Sequence, residues 1–134
     1  MLADSLYGGD GNDLIIYDSV DKVVDGGAGI DTLRFAASGQ TLDLTVTNPS
    51  LVLSNIDVID LTGTGNNTLK IDLNKLLSVT DNGSLYVDGN AGDVVQVTDT
   101  GWQLQGSAGG YNHYSNGLGN LYIDTDITTQ NLPA

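Results

Sequence analysis

Aliphatic residues recur at every ninth position along the first third of the chain. The members of this nine-residue ladder are Leu6, Ile15, Val24, Leu33 and Leu42. One regularly placed aliphatic residue in every nine fits a short strand with one inward side chain, followed by a longer turn. The pattern therefore predicts a succession of short strands and turns, in which each strand buries one ladder residue in a common core.

Two copies of one glycine-rich segment lie between the rungs of this ladder. Residues 8–13 read Gly-Gly-Asp-Gly-Asn-Asp and residues 26–31 read Gly-Gly-Ala-Gly-Ile-Asp, so both fit G-G-x-G-x-D. The nonapeptide G-G-x-G-x-D-x-U-x is the calcium-binding repeat of parallel β-rolls, in which the glycines form the turn and U enters the core. Turns two repeats apart stack on the same edge. We therefore expect the two segments to be neighbours that share one calcium ion.

The segment between these two turns departs from the repeat. Residues 17–22 contain no glycine, and Lys22 replaces the aspartate that ends the other two turns. We expect no metal at residues 17–22, although Asp18 and Asp21 make the segment acidic, and hence one calcium site instead of an array. An alternative stays open, in which the glycine-rich segments are plain turns whose aspartates accept hydrogen bonds from nearby backbone groups.

Residues 4–35 resemble the repeats of the repeats-in-toxin (RTX) family, whose members are exported by type I secretion systems. Residues 54–65 and 87–95 are similar to segments that follow the last repeats of large RTX adhesins. The resemblance implies the C-terminal, export-proximal part of a secreted bacterial adhesin that binds Ca²⁺. It also implies a ligand set of four backbone carbonyl groups and two carboxylates. These ligands would come from Gly8, Asp10, Asp13, Gly27, Gly29 and Asp31.

Beyond Leu42 the apolar residues alternate with a period of two, and glycine-containing turns are frequent. This pattern predicts an all-β fold. We expect a short calcium-bound parallel β-roll over residues 1–42. Residues 43–134 should form a β-solenoid or an antiparallel β cap that packs on the roll within one folding unit.

Three local expectations accompany this fold. Residues 72–79 fit either a strand or one to two helical turns, with Asp72 as the N-cap and leucines 73, 76 and 77 facing inward. Asp57 should alternate outward between two aliphatic neighbours. Residues 88–93 resemble the second glycine-rich turn but are one residue shorter, and we favour a tight turn over a second calcium loop.

Charge and composition exclude several classes of function. All 17 acidic residues are aspartate, and with four basic residues they give a net charge of −13. Such a charge argues against nucleic acid as a partner, and no apolar run is long enough for membrane insertion. The chain contains no cysteine and one histidine, His113, which excludes thiolate metal sites and H-E-x-x-H metalloprotease sites. We therefore expect a non-enzymatic protein without catalytic residues.

The resemblance implies a domain that folds on calcium after type I export. It would be extracellular or on the bacterial surface, would be monomeric, and would serve adhesion or biofilm formation. Its partners would be calcium, the type I secretion machinery and, through the parent adhesin, a surface glycan or protein. Met1 fits the start of an expressed fragment. Two alternatives stay open: an accessory calcium module of a secreted polysaccharide-modifying enzyme, and a carbohydrate- or peptide-binding module formed by the aromatic residues between Trp102 and Tyr122.

Overall fold

The computed structural model describes residues 5–17, 22–35, 38–45, 52–62, 65–80 and 82–132. These residues form fourteen strands and one helix. The elements are β1 (Ser5–Tyr7), β2 (Leu14–Tyr17), β3 (Val23–Asp25), β4 (Thr32–Phe35), β5 (Thr41–Asp43), β6 (Val52–Ser54), β7 (Val58–Asp60), β8 (Thr68–Ile71), α1 (Leu73–Val79), β9 (Ser84–Asp88), β10 (Val94–Val97), β11 (Gln103–Ala108), β12 (Tyr111–Ser115), β13 (Asn120–Asp124) and β14 (Thr128–Gln130). The predicted all-β fold is confirmed.

The strands form three sheets, most of whose pairs are parallel. Sheet I has the order β1-β3-β6, and sheet III has the order β14-β10-β8-β5. Sheet II is the longest, with the order β11-β12-β13-β9-β7-β4-β2. Parallel neighbours in a sheet cannot be joined by a tight hairpin, so the chain travels through the other sheets before it returns.

The chain passes through the sheets in the same order each time, and we call each passage a coil. Coil 1 contains β1 and β2, coil 2 contains β3 to β5, and coil 3 contains β6 to β8. Coil 4 contains α1, β9 and β10, and coil 5 contains β11 to β14. Within the described ranges, the first strand of sheet III is β5 of coil 2. The separation of paired residues accordingly grows from 18, as between Asp13 and Asp31, to 26, as between Asp31 and Asp57.

The nine-residue ladder supplies the core of the first two coils. Leu6 pairs in register with Val24 in sheet I, and Ile15 pairs with Leu33 in sheet II. Val24 and Leu33 are fully buried, whereas Leu6 at the end of the stack is partly buried. Leu42 is also buried, but it belongs to sheet III. The aliphatic period therefore identifies inward positions on all three sheets.

Helix α1 occupies the place in coil 4 where the earlier coils have a strand of sheet I. Asp72 is its N-cap, and the Asp72 side chain accepts a hydrogen bond from the backbone N–H of Lys75. The helix packs against β6 and β9 through buried Leu76 and Val79. The helical alternative for residues 72–79 is thus correct. The predicted inward direction of Leu77 is wrong, because Leu77 is 40% exposed and Val79 takes its place.

Residues 43–132 combine parallel and antiparallel pairing where they are described. The parallel register continues from β7 through β9 to β13, and from β8 through β10 to β14. An antiparallel hairpin of β11 and β12 then ends sheet II beyond β13. The expected division between residues 42 and 43 falls inside β5, which pairs with β8. No helix among the described residues is long and apolar enough to cross a membrane.

Replacing a fully buried core leucine should destabilise the folded protein. We expect Leu69→Ala to lower the free energy of unfolding by about 2–5 kcal/mol, because Leu69 in β8 is fully buried between two neighbouring strands. Leu118→Ala is the matched control, since this side chain is 73% exposed, and its effect should stay within about 0.5 kcal/mol. Urea unfolding followed by circular dichroism measures both, and equal losses would contradict the assigned core.

Candidate metal centre

The two glycine-rich turns lie side by side at the edge between sheets I and II. Residues 8–13 join β1 to β2, residues 26–31 join β3 to β4, and each of these strands pairs in parallel with its counterpart. The turns themselves also bond to each other, since the backbone N–H of Ala28 donates to the carbonyl oxygen of Gly9 at 3.0 Å. The predicted stacking of the two turns is therefore present.

Glycine is required where the two turns approach each other most closely. Gly27 has φ +85°, and a Cβ atom there would lie 2.1 Å from the carbonyl oxygen of Gly9. Gly29 has φ +116°, and its Cβ would lie 2.4 Å from the carbonyl oxygen of Gly11. A side chain at either position would therefore clash with the preceding turn in addition to straining the backbone. These two glycines let one turn rest directly on the other.

The two turn-ending aspartates are held by backbone contacts between coils. One oxygen of Asp31, Oδ1, accepts a hydrogen bond from the backbone N–H of Asp13 at 2.8 Å. The other oxygen, Oδ2, is buried and receives no hydrogen bond, and Oδ2 of Asp13 is in the same condition. Asp31 is 0% exposed. A buried carboxylate oxygen without a hydrogen-bond donor is costly, so each Oδ2 atom is a candidate ligand for a cation.

Each unused carboxylate oxygen lies close to a glycine Cα and to a carbonyl oxygen of the next coil. A Cβ built on Gly8 would meet the carbonyl oxygen of Gly26 at 2.5 Å and Oδ2 of Asp13 at 2.7 Å. A Cβ built on Gly26 would meet the carbonyl oxygen of Asn55 at 2.2 Å and Oδ2 of Asp31 at 2.6 Å. The same arrangement of two oxygens around a glycine thus occurs in two successive coils.

The six predicted ligand residues all belong to this pair of turns. Gly8 and Asp13 adjoin the carbonyl of Gly26, while Gly27 and Gly29 rest on the first turn. Asp10 is exposed and pairs through its backbone with Ala28. No group of three or more histidine or acidic side chains that could hold a metal ion occurs in the described residues, so a metal ion here would need backbone carbonyls in addition to Asp13 and Asp31. The donors are all oxygens, which suits a hard cation such as Ca²⁺.

The sequence pattern did not predict that Asn55 and Asp57 form hydrogen bonds with the preceding coil at this edge. Asp57 was expected to face outward, but it is buried, and its Oδ2 accepts a hydrogen bond from the backbone N–H of Asp31 at 3.0 Å. Asn55 adopts φ +53° and donates from Nδ2 to Oδ1 of Asp25. The turn of coil 3 is shorter than the two glycine-rich turns, so no repeat in the sequence aligns Asp57 with Asp31.

A second column of polar side chains follows the edge between sheets II and III. Asn67 Oδ1 accepts a hydrogen bond from the backbone N–H of Gln40, and Asp93 Oδ1 accepts one from the backbone N–H of Asn67. Asp93 Oδ2 accepts a further bond from the backbone N–H of Asn90. Both oxygens of Asp93 are therefore occupied, which agrees with the preference for a tight turn over residues 88–93.

Most of residues 17–22 lie outside the described residues, so the expectation that this turn binds no metal stays a prediction.

Asp60 on sheet II forms an ion pair with Arg34 and differs in this from Asp13 and Asp31. Asp60 Oδ2 accepts a hydrogen bond from Arg34 Nε at 3.0 Å, and Thr62 donates both its backbone N–H and its hydroxyl to Oδ1. Burial alone would raise the pKa of Asp60, but these hydrogen bonds and the positive charge of Arg34 outweigh it and lower the pKa. This carboxylate thus has protein partners for both oxygens, unlike Asp13 and Asp31.

Comparisons with protein-family models, with curated protein sequences and with solved structures found no significant match to this chain.

The polar column at the edge between sheets II and III should stabilise the fold through hydrogen bonds alone. Asn67→Ala removes the acceptor for Gln40 N–H and the Nδ2 donor to the carbonyl of Leu61, so we expect a loss of about 1–3 kcal/mol in the free energy of unfolding. Asn74→Ala, at an exposed position of α1, should cost nothing measurable. Calcium affinity should be unchanged in both variants. A loss of calcium binding in Asn67→Ala would contradict the expectation that calcium binds at the edge between sheets I and II and not at the edge between sheets II and III.

Proposed function

We propose that this chain is a calcium-binding domain of the RTX type, from the C-terminal end of a secreted bacterial adhesin, that becomes ordered on calcium after type I export. One observation carries this proposal. Each of the two stacked G-G-x-G-x-D turns ends in an aspartate whose Oδ2 atom is buried and has no hydrogen-bond donor. The resemblance to RTX repeats supplies the biological setting, including the adhesin and its export.

The donor atoms favour calcium over other metals. The candidate ligands offer carbonyl and carboxylate oxygens, and the chain has no cysteine for softer metals. Asp13 and Asp31 would supply the two carboxylates, and Gly8, Asp10, Gly27 and Gly29 would supply backbone carbonyls. A bound calcium ion would neutralise the carboxylates of two neighbouring coils. Magnesium is a poorer fit, because it requires a smaller octahedral site and releases its waters reluctantly.

The remaining residues of the site prepare it for the ion. The hydrogen bond from Asp13 N–H fixes the carboxylate of Asp31, and the carboxylate of Asp57 in turn fixes the backbone of Asp31. The positive φ angles of Gly27 and Gly29 let the second turn lie against the first. In the folded state these contacts hold the unused oxygens in place.

Calcium then acts as a folding switch between two compartments. Extracellular calcium modules bind with dissociation constants of about 0.1–1 mM, so such a site stays empty in a calcium-poor cytosol. At ten times the dissociation constant, one bound ion stabilises the folded state by about 1.4 kcal/mol through mass action. The net charge of −13 opposes compaction without bound cations, which keeps the chain extended for export. The proposed partners are the type I secretion machinery and, through the parent adhesin, a surface glycan or protein.

The domain should gain stability in calcium and less in magnesium. Circular dichroism in chelator and then in about 5 mM calcium, a concentration well above the expected dissociation constant, should show more β signal and a higher Tm. The same concentration of magnesium should raise the Tm by less than half as much. Identical melting curves in chelator and in calcium would disprove the proposal.

Removing one charge from the site should weaken calcium binding without removing the backbone contact. Asp31→Asn keeps an acceptor for Asp13 N–H but loses the charged Oδ2, so we expect at least about a tenfold weaker calcium affinity. Asp13→Asn should behave in the same way.

Asp93→Asn is the matched control, because both oxygens of Asp93 already accept backbone hydrogen bonds. This variant should be less stable but should bind calcium with unchanged affinity. Isothermal titration calorimetry on the three variants measures the effect. Equal weakening in all three would show that the turn-ending aspartates have no special role.

A further inference from the structure

One row of side chains crosses the outer face of sheet II near its C-terminal end. The register places Val58 next to Tyr86, Tyr86 next to Tyr122, Tyr122 next to His113, and His113 next to Gly106. These five positions lie on five adjacent strands, from β7 to β11. Three of them carry rings, and the last carries no side chain.

The three rings form a continuous stack. The ring centroids of Tyr86 and Tyr122 are 4.4 Å apart with an interplanar angle of 9°. The centroids of Tyr122 and His113 are 4.3 Å apart, also at 9°. Tyr111 packs against Tyr86 at 87°, in an edge-to-face arrangement. Tyr122 covers one face of the His113 imidazole, so the opposite face is open to another partner.

The position beyond His113 is an open recess over Gly106. A Cβ atom built on Gly106 would meet no heavy atom within 4 Å, so the space above it is free. The recess measures about 270 Å³ and is lined by residues of the hairpin together with Tyr122. The imidazole of His113 is held in place by a 2.8 Å contact between Nε2 and Oδ1 of Asn120. The stack thus ends at a fixed ring face beside a space for one more ring.

The chemistry around the recess is polar but uncharged. Gln105, Ser107 and Ala108 line it on the β11 side, and Tyr111 lines it on the β12 side. Two carboxylates adjoin this tyrosine: Asp88 accepts the hydroxyl hydrogen of Tyr111, and Asp124 is the register partner of Tyr111 on β13. Neither of them lines the recess, so a cationic guest would find no carboxylate in the lining. An anionic guest would meet the repulsion of a domain with a net charge of −13.

We propose that this recess binds the ring of a neutral hexopyranose from a surface glycan, which stacks on the exposed face of His113 as the fourth member of the ring stack. The apolar C–H face of such a sugar matches the ring face, and its hydroxyl groups can donate to Oε1 of the exposed Gln105 side chain, whose Nε2 donates to the carbonyl oxygen of Gln103. The hydroxyl of Ser107 is not available, because it donates to Oδ1 of Asn112. Gly106 leaves the sugar room, since any side chain at this position would project into the row. This binding site is separate from the calcium turns and does not depend on the proposed metal.

The test uses the calcium-loaded domain and nuclear magnetic resonance titrations with defined probes. The probes are neutral trisaccharides of glucose, galactose and mannose, with trigalacturonate and arginine amide as anionic and cationic comparators. At about 10 mM, above the millimolar Kd expected of a single stacked ring, at least one neutral trisaccharide should shift the resonances of Gly106, Ser107 and His113. Neither comparator should shift them as much.

Two variants separate stacking from general surface effects. His113→Ala should raise the Kd for the neutral trisaccharide by about five-fold, the order expected for one lost ring contact, whereas His113→Phe should restore most of the affinity. Tyr7→Ala removes an aromatic ring that is 69% exposed on sheet I and should leave the Kd unchanged. The proposal is overturned if no neutral trisaccharide binds, if a charged probe binds more tightly, or if His113→Ala binds as well as the original chain.

Discussion

The stack depends on one recurring hydrogen bond, in which a side-chain oxygen of one coil accepts the backbone N–H of the preceding coil. Where a coil turns between two sheets, the ladder of strand hydrogen bonds is interrupted, and some backbone N–H groups have no strand partner. Five such groups are capped from the next coil, by Asp31, Asp57, Asn67, Asp93 and Asp99. Leaving one of them unpaired would cost about 1–3 kcal/mol, so these contacts fix the register between coils.

This capping explains why aspartate is so frequent without assigning every aspartate to a metal. In Asp93 and in Asp99, both carboxylate oxygens accept hydrogen bonds from the protein. The donors to Asp99 are the backbone N–H of Leu73 and the indole N–H of Trp102. Asp31 uses only one oxygen for capping and keeps the other buried without a donor. The difference between the edges therefore lies in the unused oxygens rather than in the number of acidic residues. This difference is the reason why we propose the glycine-rich edge, and not the other edge, as the cation site.

The secondary structure of the coils changes along the chain. Sheet III is added when coil 2 extends to β5, and α1 replaces a strand of sheet I in coil 4. The antiparallel hairpin of β11 and β12 extends sheet II by two strands beyond β13, the last parallel strand. This hairpin brings His113 beside Tyr122 and places Gly106 after it. The ring stack and its recess are thus products of the irregular end of the fold.

The repeated turns and the nine-residue ladder are properties of short stretches of sequence, because glycine permits positive φ angles and a lone aliphatic residue marks an inward position. For this reason the stacking of residues 8–13 on 26–31, the burial of Val24 and Leu33, and the cap at Asp72 were predictable. Asp57 was not, since it aligns with Asp31 across 26 residues that contain no repeat, and simple alternation therefore assigned it to the wrong side.

The sequence likewise did not predict the row of rings from Tyr86 to His113. Its members come together only because the intervening connection and the hairpin turn have particular lengths. By itself the sequence determined which residues turn, which enter the core and which can offer oxygen ligands. The tertiary structure decided which of those residues meet, because register between strands distant in sequence depends on the lengths of the segments that connect them and on which buried N–H each side chain can reach.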